Sequence, residues 1–207
     1  MPSKSLWRKQ RLASILSRVA PHPSPTPRLE QYTIDADTAA TILWLAAWTY
    51  GDIAGKVVFD LGCGTGRLGI GASLLGASKV VGIDIDAQAI GTAVENGRKA
   101  GADVCWIIGD ISCLRGRCDV VIQNPPFGVQ RRRADRPFLS KALEMARVTY
   151  SLHKGGSREF IKAFALRHGG QVTDVLSLRT PIPPMFPFHT KRRHIVDVDL
   201  FRIVCRP

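Results

Sequence analysis

The chain has 207 residues, of which 45% are hydrophobic and 22% charged, and a formal net charge of +12. These values fit a soluble globular protein filling one domain, and no apolar run approaches the roughly 20 residues of a membrane span. So large a positive charge points to polyanionic partners, with a generally basic surface as the plain alternative. The five cysteines have no paired spacing, and Cys113 and Cys118 lack a matching second pair, which excludes a zinc site and a disulfide framework. Cys63 and Cys105 read as reduced core residues.

Residues 1–20 are basic, and no acid precedes Glu30. Leu12, Ile15, Leu16 and Val19 have helical spacing, which predicts a helix that packs on the domain or touches RNA. The missing apolar core argues against a secretory signal. An Arg-rich, acid-free start also fits a mitochondrial transit peptide, but the reading adopted is a cytoplasmic protein. Residues 21–27 carry four prolines and form an extended linker. This divides the chain into a basic helix and linker, 1–28, and a main domain, 29–207.

Residues 35–50 read as a helix capped by Asp35 or Asp37 and ended by Gly51. A strand over 56–61 runs into the tight turn Gly62-Cys-Gly-Thr-Gly66, followed by a helix over 67–75. Glycines there let the backbone pass close under a ligand. The second strand, 79–84, ends in Asp84, placed after the glycines where a ribose diol is commonly held. Asp86 caps a helix ended by Gly101. The third strand, 103–108, is expected at a sheet edge. Trp106 on that apolar edge calls for a cover, either a partner strand or a helix of the same chain.

The fourth strand, 119–123, leads to Asn124, Pro125, Pro126 and Phe127. The loop 128–137 carries Arg131, Arg132, Arg133 and Arg136. It reads as a phosphate grip beside a site, with a solvated charge run as the alternative. Then come a helix over 138–146, a strand over 148–152, a helix from Ser157 to 167 and a strand over 171–178. The Pro-rich loop 180–190 bears Phe186, Phe188 and His189, which either touch substrate or pack the loop. Lys191, Arg192 and Arg193 precede a last strand over 195–204. Its Asp197, Asp199 and Arg202 suggest a position nearer an edge. The alternation of helices and strands predicts a doubly wound α/β sheet.

Ligands bind beyond the carboxyl ends of strands in such sheets, which puts Asn124 where chemistry happens. An aromatic amine is a poor nucleophile because its lone pair is delocalised into the ring. An Asn carbonyl and the neighbouring Pro125 carbonyl can accept its two hydrogens and draw it towards a pyramidal geometry. This is positioning by oriented dipoles. Pro125 and Pro126 fix the backbone, and Phe127 offers a face for a flipped-out base. The plain alternative is a turn with Phe127 in the core. Gly64-Thr-Gly66-Arg-Leu-Gly69 also matches a dinucleotide-binding pattern, but no hydride-transfer apparatus accompanies it.

Asp60-Leu-Gly-Cys-Gly-Thr-Gly66 resembles the first motif of class I S-adenosylmethionine-dependent methyltransferases, and Asn124-Pro-Pro-Phe127 their amine-methylating motif. With Leu29-Glu-Gln-Tyr32, Ile83-Asp-Ile-Asp86, Ser151-Leu-His-Lys154 and Val196-Asp-Val-Asp-Leu200, the chain resembles the methyltransferase-like-five family of small-subunit ribosomal RNA adenine N6-methyltransferases, from about Leu29 to Arg202. Thr65 stands where that family often has a second Cys, and residues 33–36 depart from its Pro-Thr-Arg-Pro-like run.

The resemblance implies a Rossmann-like fold with a seven-stranded, mostly parallel sheet and an antiparallel last strand. It implies S-adenosyl-L-methionine as cofactor, met by Gln31, Thr33, Asp60, Gly62, Cys63, Gly64 and Asn124. Asp84 would take the ribose, Asp110 the adenine amine, and Ile85 and Ile111 the two faces of the adenine ring. Arg131–Arg133 and Lys191–Arg193 would grip ribosomal RNA. A small zinc-binding activator protein would cover the third-strand edge near Trp106. Guanine N2 methylation, protein glutamine methylation and a non-catalytic RNA-binding assembly role are the competing readings.

Overall fold

The computed structural model describes residues 8–128, 130–182 and 194–205. Phe186, Phe188, His189, Lys191, Arg192 and Arg193 therefore lie outside the described residues. Seven strands form one sheet: β1 (Val57–Leu61), β2 (Lys79–Asp84), β3 (Cys105–Ile108), β4 (Cys118–Gln123), β5 (Ala146–Lys154), β6 (Gly170–Ile182) and β7 (His194–Cys205). Their order is β3-β2-β1-β4-β5-β7-β6. The pairs from β3 to β5 are parallel, and β7 runs antiparallel to both β5 and β6. This is the seven-stranded sheet that the resemblance implies.

Helices α1 (Lys9–Leu16), α2 (Ala36–Trp44), α3 (Arg67–Leu74) and α4 (Ala87–Ala100) lie with one face of the sheet, α5 (Asp135–Met145) and α6 (Arg158–Arg167) with the other. Strand side chains alternate between the two cores, as the pleat requires. Val120 and Ile122 of β4 pack with Leu43 of α2, while Val121 packs with Ala142 and Met145 of α5. Leu12 and Leu16 of α1 are fully buried in the first core, with Val19 beside them. Burial of such side chains stabilises by about 1.5–3 kcal/mol each. The basic helix is thus part of the main core.

Caps set the helix starts. Asp35 accepts hydrogen bonds from the backbone N–H of Asp37 and Thr38, and Asp86 from those of Gln88 and Ala89. α2 then widens into a π turn, Leu45–Thr49, before Gly51.

The polar last strand does lie nearer an edge: β7 sits one place in, and β6 is the outer strand. Its polar residues are paired. Asp199 holds Arg158 and Ser177, and Arg202 holds Asp52 and the Tyr150 hydroxyl. β3 is an edge as expected, and of the two covers read for Trp106 the structure has the helix, because the ring turns inward. An added Cβ at Gly66 or Gly82 would meet its ring at 2.5 Å, and one at Gly97 of α4 at 3.5 Å. The cover over Trp106 is the chain's own helix. One expectation needs correction: Cys105 is exposed rather than in the core.

Candidate active site

Two neighbouring strands deliver the two motifs to one place. β1 and β4 pair in parallel with Leu61 opposite Gln123, so the glycine turn and Asn124 leave the sheet side by side. Strand order reverses between β1 and β4, and such a switch point opens a crevice at the carboxyl ends. A cleft of about 1800 Å³ lies there. It is lined by Gln31, Thr33, Asp60, Gly62, Cys63, Gly64, Asp84, Ile85, Asp110, Ile111, Asn124, Pro126 and Arg131–Arg133. Pro125 is buried behind the lining. Phe127 does not line the cleft either. Its ring packs on the first core and against Tyr32, centroids 5.3 Å apart at 50°.

The three glycines of the turn share a left-handed backbone and differ in surroundings. A Cβ on Gly62 (φ +67°) would meet the Phe138 ring at 2.9 Å. One on Gly66 (φ +89°) would strike Trp106. One on Gly64 (φ +54°) would meet nothing within 4 Å. Gly64 is therefore the glycine that leaves room for a ligand.

The floor of the cleft is acidic. Asp60 is 1% exposed and accepts one hydrogen bond, from the Gly69 N–H at 2.8 Å. Burial, with the Asp84 charge adding to it, raises its pKa to about 7 despite that bond. Asp84 accepts from the N–H groups of Gly64 (2.8 Å) and Asp86 (3.0 Å), and burial again pushes its pKa up. Arg67 also lines the cleft, but its donors go to the carbonyls of Val19 (2.8 Å) and Ile34. Two carboxylates so placed, one buried and one half-buried, fit a cationic ligand, as S-adenosylmethionine is through its sulfonium and ammonium. Ile85, 58% exposed, and the buried Ile111 add an apolar margin suited to a purine. The Asp110 carboxylate, capping a short turn through the Ser112 N–H (2.8 Å), is exposed at that margin and held below the usual carboxylate range by its bonds to Ser112.

Gln31 is engaged on arrival: its amide donates to Asp86 at 2.6 Å and accepts from the Thr26 N–H at 2.8 Å. His22 reaches the same Asp86 oxygen at 3.3 Å. Asn96 clamps Ala20 through both its N–H (3.0 Å) and carbonyl (3.1 Å). The linker is thereby fixed along the rim of the cleft.

At the chemical end, the Asn124 Oδ1 is buried and has no hydrogen-bond donor. Buried acceptors are nearly always satisfied, so an unsatisfied one facing a cleft is a place for a ligand's N–H. Behind it runs a polar chain that sequence reasoning missed. The Gln123 amide donates to the Ser151 hydroxyl (2.9 Å), Ser151 contacts His153 Nε2 (2.7 Å), and His153 Nδ1 faces Asp135 (3.4 Å). Ser151 and His153 belong to the Ser-Leu-His-Lys motif, whose period-two spacing was the available signal. Burial works to raise the Asp135 carboxyl, but the His153 bond and charge outweigh it and hold its pKa low. Tyr32 was missed too; its hydroxyl is buried without a partner beside Phe127, and burial raises its pKa.

The family profile of Ribosomal protein L11 methyltransferase (PrmA) matches residues 36–124, the cofactor half of the chain as far as Asn124. The rRNA N(6)-adenosine-methyltransferase Mettl5 of Drosophila melanogaster is 36% identical over 203 residues, covering 93% of this chain and 94% of that protein. The Methanocaldococcus jannaschii protein MJ0284 is 40% identical over 208 residues, 95% and 94% of the two chains. The crystal structure of PH1948 from Pyrococcus horikoshii superposes with a TM-score of 0.90 at 43% identity, covering 97% of this chain and 99% of that one. Matched end to end at these identities, and carrying both motifs in one cleft, the chain belongs to the METTL5 family of S-adenosylmethionine-dependent rRNA N6-adenosine methyltransferases.

Proposed function

We propose that the protein methylates the N6 amine of an adenosine in small-subunit ribosomal RNA. The observation that carries this reading is the buried, donor-less Asn124 Oδ1 at the end of β4. S-adenosylmethionine supplies, when bound, a methyl group on a strong leaving group. Asn124 and the Pro125 carbonyl accept the two N–H hydrogens of the target amine and aim its lone pair. Because the donor is already activated, alignment is the main task of the protein. Tyr32 and Phe127 back the target base with an aromatic corner. Asp60 and Asp84 hold the cationic and ribose parts of the cofactor, Asp110 its adenine amine, and Ile85 and Ile111 its ring. Arg131, Arg132 and Arg133, exposed at the mouth of the same cleft, grip phosphates.

The test is labelled methyl transfer to small-subunit RNA followed by nucleoside analysis. Asn124→Ala should lower turnover by at least about a hundredfold, the scale of losing one pre-aimed group, and leave cofactor affinity within a factor of about two. Full activity in that variant removes the mechanism. N2-methylguanosine as the product moves the acceptor to guanine. Cofactor binding with no product on any RNA favours the assembly-factor reading.

The same reading includes a small zinc-binding activator on the β3 edge and a place in the cytoplasm with the ribosome. Ile108 (60% exposed) and Cys105 leave that edge apolar and open, and an added strand would satisfy its outer backbone groups. Among the described residues no helix is long and apolar enough to cross a membrane.

A further inference from the structure

A second basic site lies at the opposite end of the sheet from Asn124. Arg117 precedes β4 and Arg147 opens β5, so both stand at the amino ends of strands whose carboxyl ends form the cleft. With His168, at the end of α6, they line a cavity of about 240 Å³. Both arginines are exposed. Glu144 also lines the cavity, but its carboxylate faces Lys141 at 3.0 Å.

The cavity and the cleft are joined by a ladder of rings along α6. Arg136, in the first turn of α5, lies 4.5 Å over the Phe160 ring. Phe160 meets Phe164 at 5.7 Å, and Phe164 stacks on His168 at 4.1 Å and 16°. The i, i+4, i+8 spacing puts all three rings on one face of the helix. Phe160 is 36% exposed, although the neighbouring Ile161 is fully buried. From Phe160 to His168 the helix rises about 12 Å. The ladder ends on a guanidinium plane near the cleft and on an imidazole at the cavity.

We propose that this track binds the strand of substrate RNA that flanks the target nucleotide, with a phosphate between Arg117 and Arg147 and bases stacked on His168 and Arg136. Flat cations and rings alternating with phosphate-sized basic pockets are what unpaired RNA recognises, because bases stack on aromatic and guanidinium planes while phosphates seek arginine. The chain's +12 charge supplies the complementary field. The inference rests on the RNA-methyltransferase reading and deepens it by giving the substrate a second contact, one strand length (about 20 Å) from the reacting amine.

The experiment is equilibrium binding of a small-subunit ribosomal RNA fragment to the full chain at several salt concentrations. Arg117→Glu with Arg147→Glu should weaken binding by at least about tenfold. It should also lower the salt slope by about 0.7, the value for one lost single-strand phosphate contact. The control reverses the same charge elsewhere, Arg98→Glu with Lys99→Glu on α4, and should change affinity far less. His168→Ala should cost several-fold in affinity and leave the slope alone. All variants are on exposed positions, so melting temperatures should match the wild type. Equal losses in the two charge-reversed pairs, or none in either, overturn the track. An unchanged affinity in His168→Ala overturns its stacking half. The readout is binding, so the two readings fail separately. RNA held through the track without methylation removes the reaction alone, and methylation with all variants binding normally removes the track alone.

Discussion

Asp60 is the residue whose chemistry depends most on what enters the cleft. Its folded pKa of about 7 stands well above the ordinary 3.8, because burial and Asp84 oppose the charge. A raised carboxyl favours the folded chain while protonated. Its contribution is complete below about pH 3.8 and is lost as pH rises through about 7. A cationic ligand reverses the preference, since it binds the ionised form. Cofactor affinity should therefore rise about tenfold between pH 6 and pH 8, the span over which a group of pKa near 7 goes from mostly neutral to mostly charged. The cofactor's own amine titrates in the same range, so the comparison with Asp60→Asn isolates the effect. Calorimetric titrations of the two proteins with parallel pH profiles would count against Asp60 as the cation's partner.

The glycine turn between β1 and α3 is the element that couples stability to binding, and its positions separate the two. Gly66→Ala sets a Cβ 2.5 Å from the Trp106 ring at φ +89°. Overpacking and a left-handed alanine together should cost about 2–4 kcal/mol, read as a lower denaturant midpoint. Gly64→Ala meets open space at φ +54° and should cost only about 1 kcal/mol. Its methyl points into the cleft, so cofactor affinity should fall at least about tenfold. If both variants lose affinity and stability in proportion, the distinction fails. Much of this element was legible beforehand. Glycines, caps and Val/Ile runs are local signals, so β2 spans 79–84 as read, and Asp86 and Gly101 bound α4. The direction of Trp106 was not legible, because three glycines from separate elements make its slot. The same holds for the chain from Gln123 to Asp135. Period-two spacing put Ser151 and His153 on one face of β5, but nothing local said that Gln123 and Asp135 would meet them.

At the scale of the whole molecule, the sheet has one open parallel edge and one antiparallel edge. On the open side, β3 is four residues long, with Ile108 exposed. An activator added there should raise the melting temperature and the soluble yield on co-expression, because a ligand that binds only the folded chain stabilises it. Ile108→Asp should abolish co-purification of the zinc protein and leave the isolated chain as stable as before. Retention of the partner by that variant places it elsewhere. Motifs identified the cofactor half and the acceptor turn, but the placing of β7 inside β6 was not legible. Polar residues mark an edge only when nothing pairs with them, and here Arg158 and Asp52 do.

That placing has a consequence for how the protein is made. β7 is the last strand in the chain, yet it lies between β5 and β6 and bonds to both. During synthesis β1 to β5 can assemble in order, while β6 has no neighbour until β7 emerges. For that interval β5 presents an unpaired edge bearing Tyr150 and Leu152, which are buried in the finished sheet. Such an edge invites pairing with other chains. A chain truncated just before residue 194 should thus be sticky and protease-sensitive beyond β5, and restoring residues 194–205 should close the sheet.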